Sequence, residues 1–347
     1  MFVTISTIRQ LPQAFALGDS LSPDKGATTA PEPFLIGLAD DPAHLPAGFV
    51  PPYPLLPLST VLPADVLTSL SATYTPTEFA AACKPRFIAE VFKRYPNADR
   101  LLYADPNVLF WQSPTAVWEH LNGSNALLTP HITQPPDDAV AVGQSRPGPA
   151  WPDEKFFQNV GLYSADFMVF RRSGETDRLL AWWQDRVETR AYIDFCAGLC
   201  TDQLWLMHVP VFFGGVRIVK NPGWHVALWN LPERRLHPVG STWQVDGPTG
   251  SKQPLLFVNA KGLFNADDGF FANQNRFRLS DRPDMRAVLT AYRSAVSIYA
   301  NPGLSKQTPA YGQQPEPVVL RGWRRTVVRS MQAITRFVDQ LPLPVFR

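Results

Sequence analysis

Continuous apolar runs alternate along the first third of the chain with segments whose apolar positions recur every three or four residues. "FVTIST" is rich in β-branched residues and predicts a strand, and "LPQAFALGDSLSP" after it has the spacing of a short helix. "PFLIGLADD" is a second apolar run, ending in Asp40 and Asp41, and "YPLLPLST" reads as a third. "PTEFAAACKPRFIAEVFKRYP" carries helical periodicity interrupted at Pro85, which predicts one helix or a pair broken there. "RLLYADPN" follows as the next strand. Strands that are apolar throughout, alternating with helices, predict a mostly parallel sheet covered on both faces. Ligands of such sheets gather at the carboxyl ends of the strands. Asp40, Asp41 and Asp105 fall there.

The rest of the chain is less regular. "VWEHLNG" predicts a short helix, "NALLTP" a strand, and 131–156 a polar, proline-rich loop. "GLYSADFMVFRRS" reads as a strand with a basic end. "ETDRLLAWWQDRVETR" has a helical period with Leu179, Leu180, Trp182 and Trp183 on its apolar side, which assigns the tryptophans to the core rather than to sugar stacking. "TDQLWLMHVPVFFGG" predicts an apolar helix passing into a loop, and "RIVKNPGWHVALWNL" and "PLLFVNAKGLF" predict short strands separated by turn residues. No internal repeat or Gly-Ser linker is present. Near the end, Trp323, Val327, Met331, Ile334 and Val338 form one stripe within 319–338, while Arg321, Arg325, Arg329 and Arg336 line another face. Two readings stay open for this basic amphipathic helix: it lies on an anionic membrane surface, or it packs on the body with its arginines solvated.

Composition narrows the class. Hydrophobic residues at 45% and charged residues at 18% over 347 positions describe a globular chain. The 32 basic and 30 acidic side chains nearly balance, which argues against a general nucleic-acid binder. The 35 prolines concentrate in connections and predict long ordered loops. Only three cysteines occur, an odd count that suits a reducing compartment. Cys196 and Cys200, spaced for one helical face, lack His or Cys company and are expected to be buried rather than zinc ligands. "MFVTISTIRQ" lacks the layout of a secretory signal, and no apolar stretch of about 18 residues appears. The expectation is a cytoplasmic protein, soluble or peripheral at the inner membrane surface.

No glycine-rich phosphate loop, G-x-S-x-G elbow or H-E-x-x-H pair is present. Phosphates, if bound, must be held by a metal ion or by basic side chains. The ordered series "EFAAACKP", "LLYADPNVLFWQSP", "LLTPHIT", "GLYSADFMVFRRS", "LLAWWQDR", "CTDQLWL", "NPGWHVALWNLPER" and "LLFVNAKG" resembles bacterial nucleotide-sugar-dependent glycosyltransferases of the GT-A fold over residues 1 to about 265. Any one of these motifs is weak; their order is specific. The resemblance implies a Rossmann-like, mostly parallel sheet flanked by helices, with a smaller acceptor-side subdomain. It divides the chain into a nucleotide-binding half (1–110), a sugar- and acceptor-binding half (111–300) and a C-terminal extension (301–347).

The same resemblance implies site roles. Asp105 takes the first place of an Asp-x-Asp turn and Asn107 the last, where a carboxylate usually binds Mg²⁺ or Mn²⁺ bridging a diphosphate. Asn259 in "NAKG" stands where a second metal contact, a histidine, is usual, with Lys261 beside it. Metal dependence is therefore expected to be weak or absent, with Lys261 or a neighbouring base supplying charge to the diphosphate. Thr4, Ile5, Ser6 and Asp40 stand where base and ribose are expected, and Lys84 near the phosphates. Asp202 in "TDQLW" is implied as the proton acceptor or charge stabiliser, with helix capping as the plain alternative. Asp166 is a second catalytic candidate, Gln203 a sugar contact and His225 an acceptor contact. The expected donor is a UDP- or GDP-linked sugar and the acceptor a saccharide or glycolipid hydroxyl. Asn107 and Asn259 favour a rival: a catalytically inactive protein that still binds a nucleotide sugar.

Overall fold

A computed structural model describes residues 1–21, 32–135, 154–240, 242–247, 250–263 and 282–316, with scattered positions between 327 and 337. The chain runs through β1 (Phe2–Ser6), α1 (Leu11–Ser20), β2 (Phe34–Leu38), β3 (Leu55–Pro57), α2 (Ala64–Thr73), α3 (Pro76–Arg94) and β4 (Arg100–Ala104). It continues with β5 (Val108–Phe110), α4 (Thr115–Leu121), β6 (Ala126–Pro130), α5 (Glu154–Val160), β7 (Tyr163–Arg171) and α6 (Gly174–Arg190). Then come β8 (Ile193–Asp194), β9 (Leu199–Cys200), α7 (Val209–Phe212), β10 (Val216–Ile218) and β11 (Val226–Ala227). Last are β12 (Arg235–Val239), β13 (Thr242–Asp246), β14 (Lys252–Pro254), β15 (Phe257–Asn259), α8 (Pro283–Ser297) and α9 (Pro302–Ser305).

Seven strands form the central sheet in the order β10-β6-β7-β4-β1-β2-β3. Every neighbouring pair is parallel except the two made by β7, which runs against β4 and β6. Alternation along each strand divides the core. Leu101, Tyr103, Met168 and Phe170 face α3 and α6, against Phe87, Val91 and Trp183. Leu102, Ala104, Phe167 and Val169 face the opposite layer, against Phe15, Leu17 and Trp118. Burial on both faces is why these strands read as apolar throughout. The mostly parallel, helix-flanked α/β sheet is the one expected.

One local alternative is resolved and two expectations are corrected. The helix through Pro85 does not break: α3 spans Pro76–Arg94 as one element, opened by a capping box between Thr75 and Glu78. Its buried stripe of Phe79, Cys83, Phe87 and Val91 packs on β1 and α6, and that contact offsets the missing amide hydrogen bond at Pro85. Cys196 and Cys200 do not share a helical face. They lie in and beside the β8–β9 hairpin, Cys196 exposed and Cys200 buried. "TDQLWLMHVPVFFGG" forms a short 3₁₀ turn over Leu204–His208 and the four-residue α7 rather than a longer helix. Trp183 is fully buried and Trp182 partly buried against the core, as the helical period predicted.

A small second sheet joins β11, β15 and β5, and a meander of β12, β13 and β14 flanks it. One compact unit covers Met1–Gln314 and a second covers Pro315–Arg347. In the second, Val327, Met331, Ile334 and Phe337 are helical and exposed; Trp323, Val338 and the four arginines of that segment lie outside the described residues. The expected loop at 131–156 lies outside them over 136–153. Among the described residues, no helix is long and apolar enough to cross a membrane.

Candidate active site

The sheet order places a topological switch between β1 and β4. The chain leaves β1 toward β2 on one side and β4 toward β7 on the other, which opens a crevice at the strands' carboxyl ends. Asp105 stands directly after β4 at this edge. Its carboxylate accepts from the Asn107 backbone amide (3.0 Å) and side-chain amide (2.9 Å), so the Asp-Pro-Asn turn holds its own acid in place. The Asp105 amide donates to the carbonyl of Asp166 (2.8 Å), which brings the first residues of β7 alongside.

A second segment arrives by strand pairing. β15 runs antiparallel to β5 with Asn259 opposite Val108, and the Ala260 amide donates to the Asn107 carbonyl (2.9 Å). The Lys261 amide donates to Asn259 Oδ1 (3.0 Å), and the turn closes at Gly262, whose φ of +71° suits glycine. The Lys261 ammonium then lies 3.1 Å from Asp166 Oδ1 and 3.7 Å from Asp105 Oδ2. Asn259 donates to the other oxygen of Asp166 (2.8 Å) and lies 3.3 Å from His225 Nε2. His225 Nδ1 is 2.8 Å from the Thr129 hydroxyl. A continuous polar chain thus runs from Thr129 through His225, Asn259, Asp166 and Lys261 to Asp105 and Asn107.

A second lysine lies deeper. Lys84, midway along α3, places its ammonium 2.5 Å from Asp202 Oδ2, donates to the Ala165 carbonyl (3.0 Å) and lies over the Tyr103 ring. Both partners are almost fully buried. The Asp202 carbonyl accepts from Trp183 Nε1 (2.9 Å), and the residue before it, Thr201, is held at φ 49°, a left-handed conformation that a β-branched side chain rarely adopts. His225 is likewise at φ 54°.

Burial and charge set the ionisation of these groups. Burial pushes the Asp105 carboxyl above its ordinary range, with Asp166 adding to the rise and Lys261 opposing it. Burial would raise Asp166 as well, but Lys261, Lys84 and the Asn259 hydrogen bond outweigh it and hold that carboxyl below the usual range. Burial lowers His225 to about 3 and His131 to about 4, so both rings are neutral near pH 7. A neutral His225 that accepts from Asn259 at Nε2 carries its proton on Nδ1, directed at Thr129.

Of the residues singled out in sequence, Asp105, Asn107, Asp166, His225, Asn259 and Lys261 meet in one network, and Lys84 with Asp202 forms the pair behind it. Thr4 lies within β1 and Ser6 ends it. Thr4 is buried with no hydrogen bond to its hydroxyl among the described residues, and Ser6 donates to the Thr7 carbonyl (2.9 Å). Ile5 faces the core. Asp40 stands outside the network: its carboxylate accepts from the amides of Ile8 (2.7 Å) and Ala310 (2.6 Å), tying the end of β1 to the chain beyond α9. Gln203 commits both ends of its amide to backbone, donating to Val160 (2.7 Å) and accepting from Ala165 (3.3 Å). Thr129, Tyr103 and Tyr292, whose hydroxyl lies 3.5 Å from Asn107 Oδ1, complete the surroundings and were not singled out. Thr129 stands in the quoted "LLTPHIT" and Tyr103 beside Asp105, so proximity in the motif was the available signal.

The donor set does not fit the divalent cation that the resemblance implies. Hard dications take several oxygen ligands, chiefly carboxylates. Here Asn259 gives its oxygen to the Lys261 amide, Asn107 Oδ1 faces Tyr292, and an ammonium stands within 4 Å of both carboxylates. Among the described residues, no group of three or more His, Cys, Asp or Glu is placed to hold a metal.

No family profile matches the chain. Two uncharacterized proteins of Bacillus subtilis (strain 168) are similar: YfnF, 23% identical over 213 residues, and YfnD, 20% identical over 217. These matches cover 60% and 62% of this chain, which spans 64% and 63% of the length of the curated relatives. Among solved structures, the galactosyltransferase LgtC in complex with donor and acceptor sugar analogs is similar with a TM-score of 0.44 and 15% identity, covering 86% of this chain and 95% of that one. Mouse xyloside xylosyltransferase 1 gives 0.36 and 13%, covering 65% and 87%. A glycosyltransferase acting on the major capsid of PBCV-1 gives 0.38 and 8%, covering 74% and 92%. These neighbours are all glycosyltransferases, but similarity this low carries no functional inference. The residues of the site must supply it.

Proposed function

We propose that the protein transfers a sugar from a nucleoside diphosphate sugar, of UDP or GDP type, to a hydroxyl of a saccharide or glycolipid acceptor. The observation that carries this reading is the convergence of Asp105, Asp166 and Lys261 at the β1–β4 switch point, where open α/β sheets bind nucleotides. In the reaction the acceptor oxygen bonds to the anomeric carbon while the bond from that carbon to the diphosphate oxygen breaks. The acceptor's proton passes to a carboxylate, and negative charge accumulates on the leaving diphosphate. Asp166 is the carboxylate assigned to the sugar, since its neighbours keep it ionised. Asp202 is the alternative base, and its pairing with Lys84 makes it the less available of the two. Release of free nucleoside diphosphate from a panel of nucleotide sugars, with and without Mn²⁺, tests the proposal. Asp166→Asn should lower turnover about 100-fold or more with the fold intact. Unchanged turnover in that variant removes the assignment.

Asn107 and Asn259 favour the second reading, a nucleotide-sugar binder without turnover. Stabilisation by a nucleotide sugar with no product release supports it. In either reading 319–338 is assigned a peripheral contact with anionic lipid at the inner membrane surface. The exposed positions Val327, Met331, Ile334 and Phe337, interleaved in sequence with Arg329 and Arg336, support that assignment. Co-sedimentation with vesicles containing phosphatidylserine, compared with phosphatidylcholine alone, checks it.

A further inference from the structure

Where the resembled enzymes hold a dication, this chain presents an ammonium, and the two asparagines acquire a purpose once that is taken seriously. Each carboxylate beside Lys261 has its own amide donor: Asn107 for Asp105 and Asn259 for Asp166. Neither acid would be left bare if the ammonium moved away. The lysine stem is flexible, its head is partly exposed, and an ammonium is a point charge that binds phosphate without fixed geometry. Its backbone, by contrast, is fixed by Asn259 and by the pairing of β15 with β5.

We propose that Lys261 is the resident cation of this site: it bridges Asp105 and Asp166 in the free protein, pivots onto the diphosphate when nucleotide enters, and makes nucleotide binding independent of divalent metal. This rests on the nucleotide-sugar reading above and deepens it. The amides that replace the usual ligands then serve as hydrogen-bond donors that hold the two carboxylates while the lysine is away.

Calorimetric titration of the full chain with UDP and GDP, in EDTA and in Mn²⁺, tests this together with Mn²⁺ electron paramagnetic resonance without nucleotide. The expected result is an affinity that changes less than about threefold between the two buffers, a loss of about tenfold or more in Lys261→Met, and near-retention in Lys261→Arg. The wild type should leave the free-Mn²⁺ signal unchanged. The triple variant Asn107→Asp, Asn259→His, Lys261→Ala should quench it, since it adds a carboxylate and an imidazole beside Asp105 and removes the ammonium. Circular dichroism confirms that each variant is folded. Nucleotide binding that appears only with Mn²⁺ overturns the role of Lys261 while leaving the nucleotide reading intact. Quenching of Mn²⁺ by the wild type, lost in Asp105→Asn, overturns it as well. Failure of both nucleotides to bind in either buffer overturns the donor reading and this inference with it.

Discussion

Two lysines stand among three aspartates in this protein, and their surroundings differ more than their chemistry. Lys84 and Asp202 are 7% and 4% exposed and meet as an ion pair at 2.5 Å, with a hydrogen bond from the ammonium to backbone and an aromatic ring beneath it. Lys261 is 21% exposed, divides itself between Asp105 and Asp166, and makes neither contact as tightly. Burial locks a charge pair by making separation costly. Partial exposure lowers the cost of exchanging one partner for another. The first lysine is held in a buried pair and the second is the one proposed to meet phosphate, although both appeared in sequence as bases near a phosphate.

The sharpest way to break this contrast is to remove one partner of the buried pair. Lys84→Met or Asp202→Leu alone should cost about 3–5 kcal/mol in urea unfolding, because the remaining charge is stranded in the interior. The double variant should recover a substantial part of that loss, and strict additivity would show the pair is not coupled.

A smaller effect should appear with pH. His225 and His131 are held neutral by burial while unfolded histidine titrates near 6.5, so below that value the unfolded chain binds more protons. Stability should therefore fall as pH drops from 6.5 to 5, by about 2–3 kcal/mol for the two rings. Asp105 and Asp40, whose carboxyls burial raises, act in the opposite sense, so the histidine share is isolated by substituting a ring. His225→Gln should remove about half of the slope. A flat profile would show that neither ring is buried neutral.

Lys261→Met should change unfolding stability by less than about 1 kcal/mol, since partly exposed pairs contribute little. A loss as large as that of Lys84→Met would erase the distinction between the two sites. A change of similar size and opposite sign is expected at Thr201. Glycine there removes a left-handed strain and should stabilise by about 1 kcal/mol, visible as a higher thermal midpoint.

Much of this architecture was legible before the fold was known. β1, β2, β4, β6, β7 and α6 announced themselves by periodicity, because burial on both faces or on one stripe leaves a plain pattern. α8 showed the same signal in Met285, Val288, Leu289, Tyr292 and Val296, and was not singled out. Pro85 left one helix or two open, since local propensity cannot weigh the packing that carries a helix past a proline. At the site, Asp105, Asn107 and Lys261 were visible from motif order. The partnership of Lys261 with Asp166 was not, because it depends on the register of strands far apart in sequence. "NPGWHVALWNLPER" was legible as a motif but not as a support. Asn230 donates to the carbonyls of His131 and His225, and Arg234 to those of Pro222 and Trp224, so much of its specificity is internal bracing.

The pairing of β15 with β5 has a mechanical outcome. Because rungs of backbone hydrogen bonds join the segment that carries Lys261 to the segment that follows Asp105, neither can shift without dragging the other. Inserting a single residue between Phe257 and Lys261 would turn the lysine's stem to the far side of its strand while every amino acid of the site stayed the same. The electrostatic balance of this crevice is set by strand length as firmly as by composition.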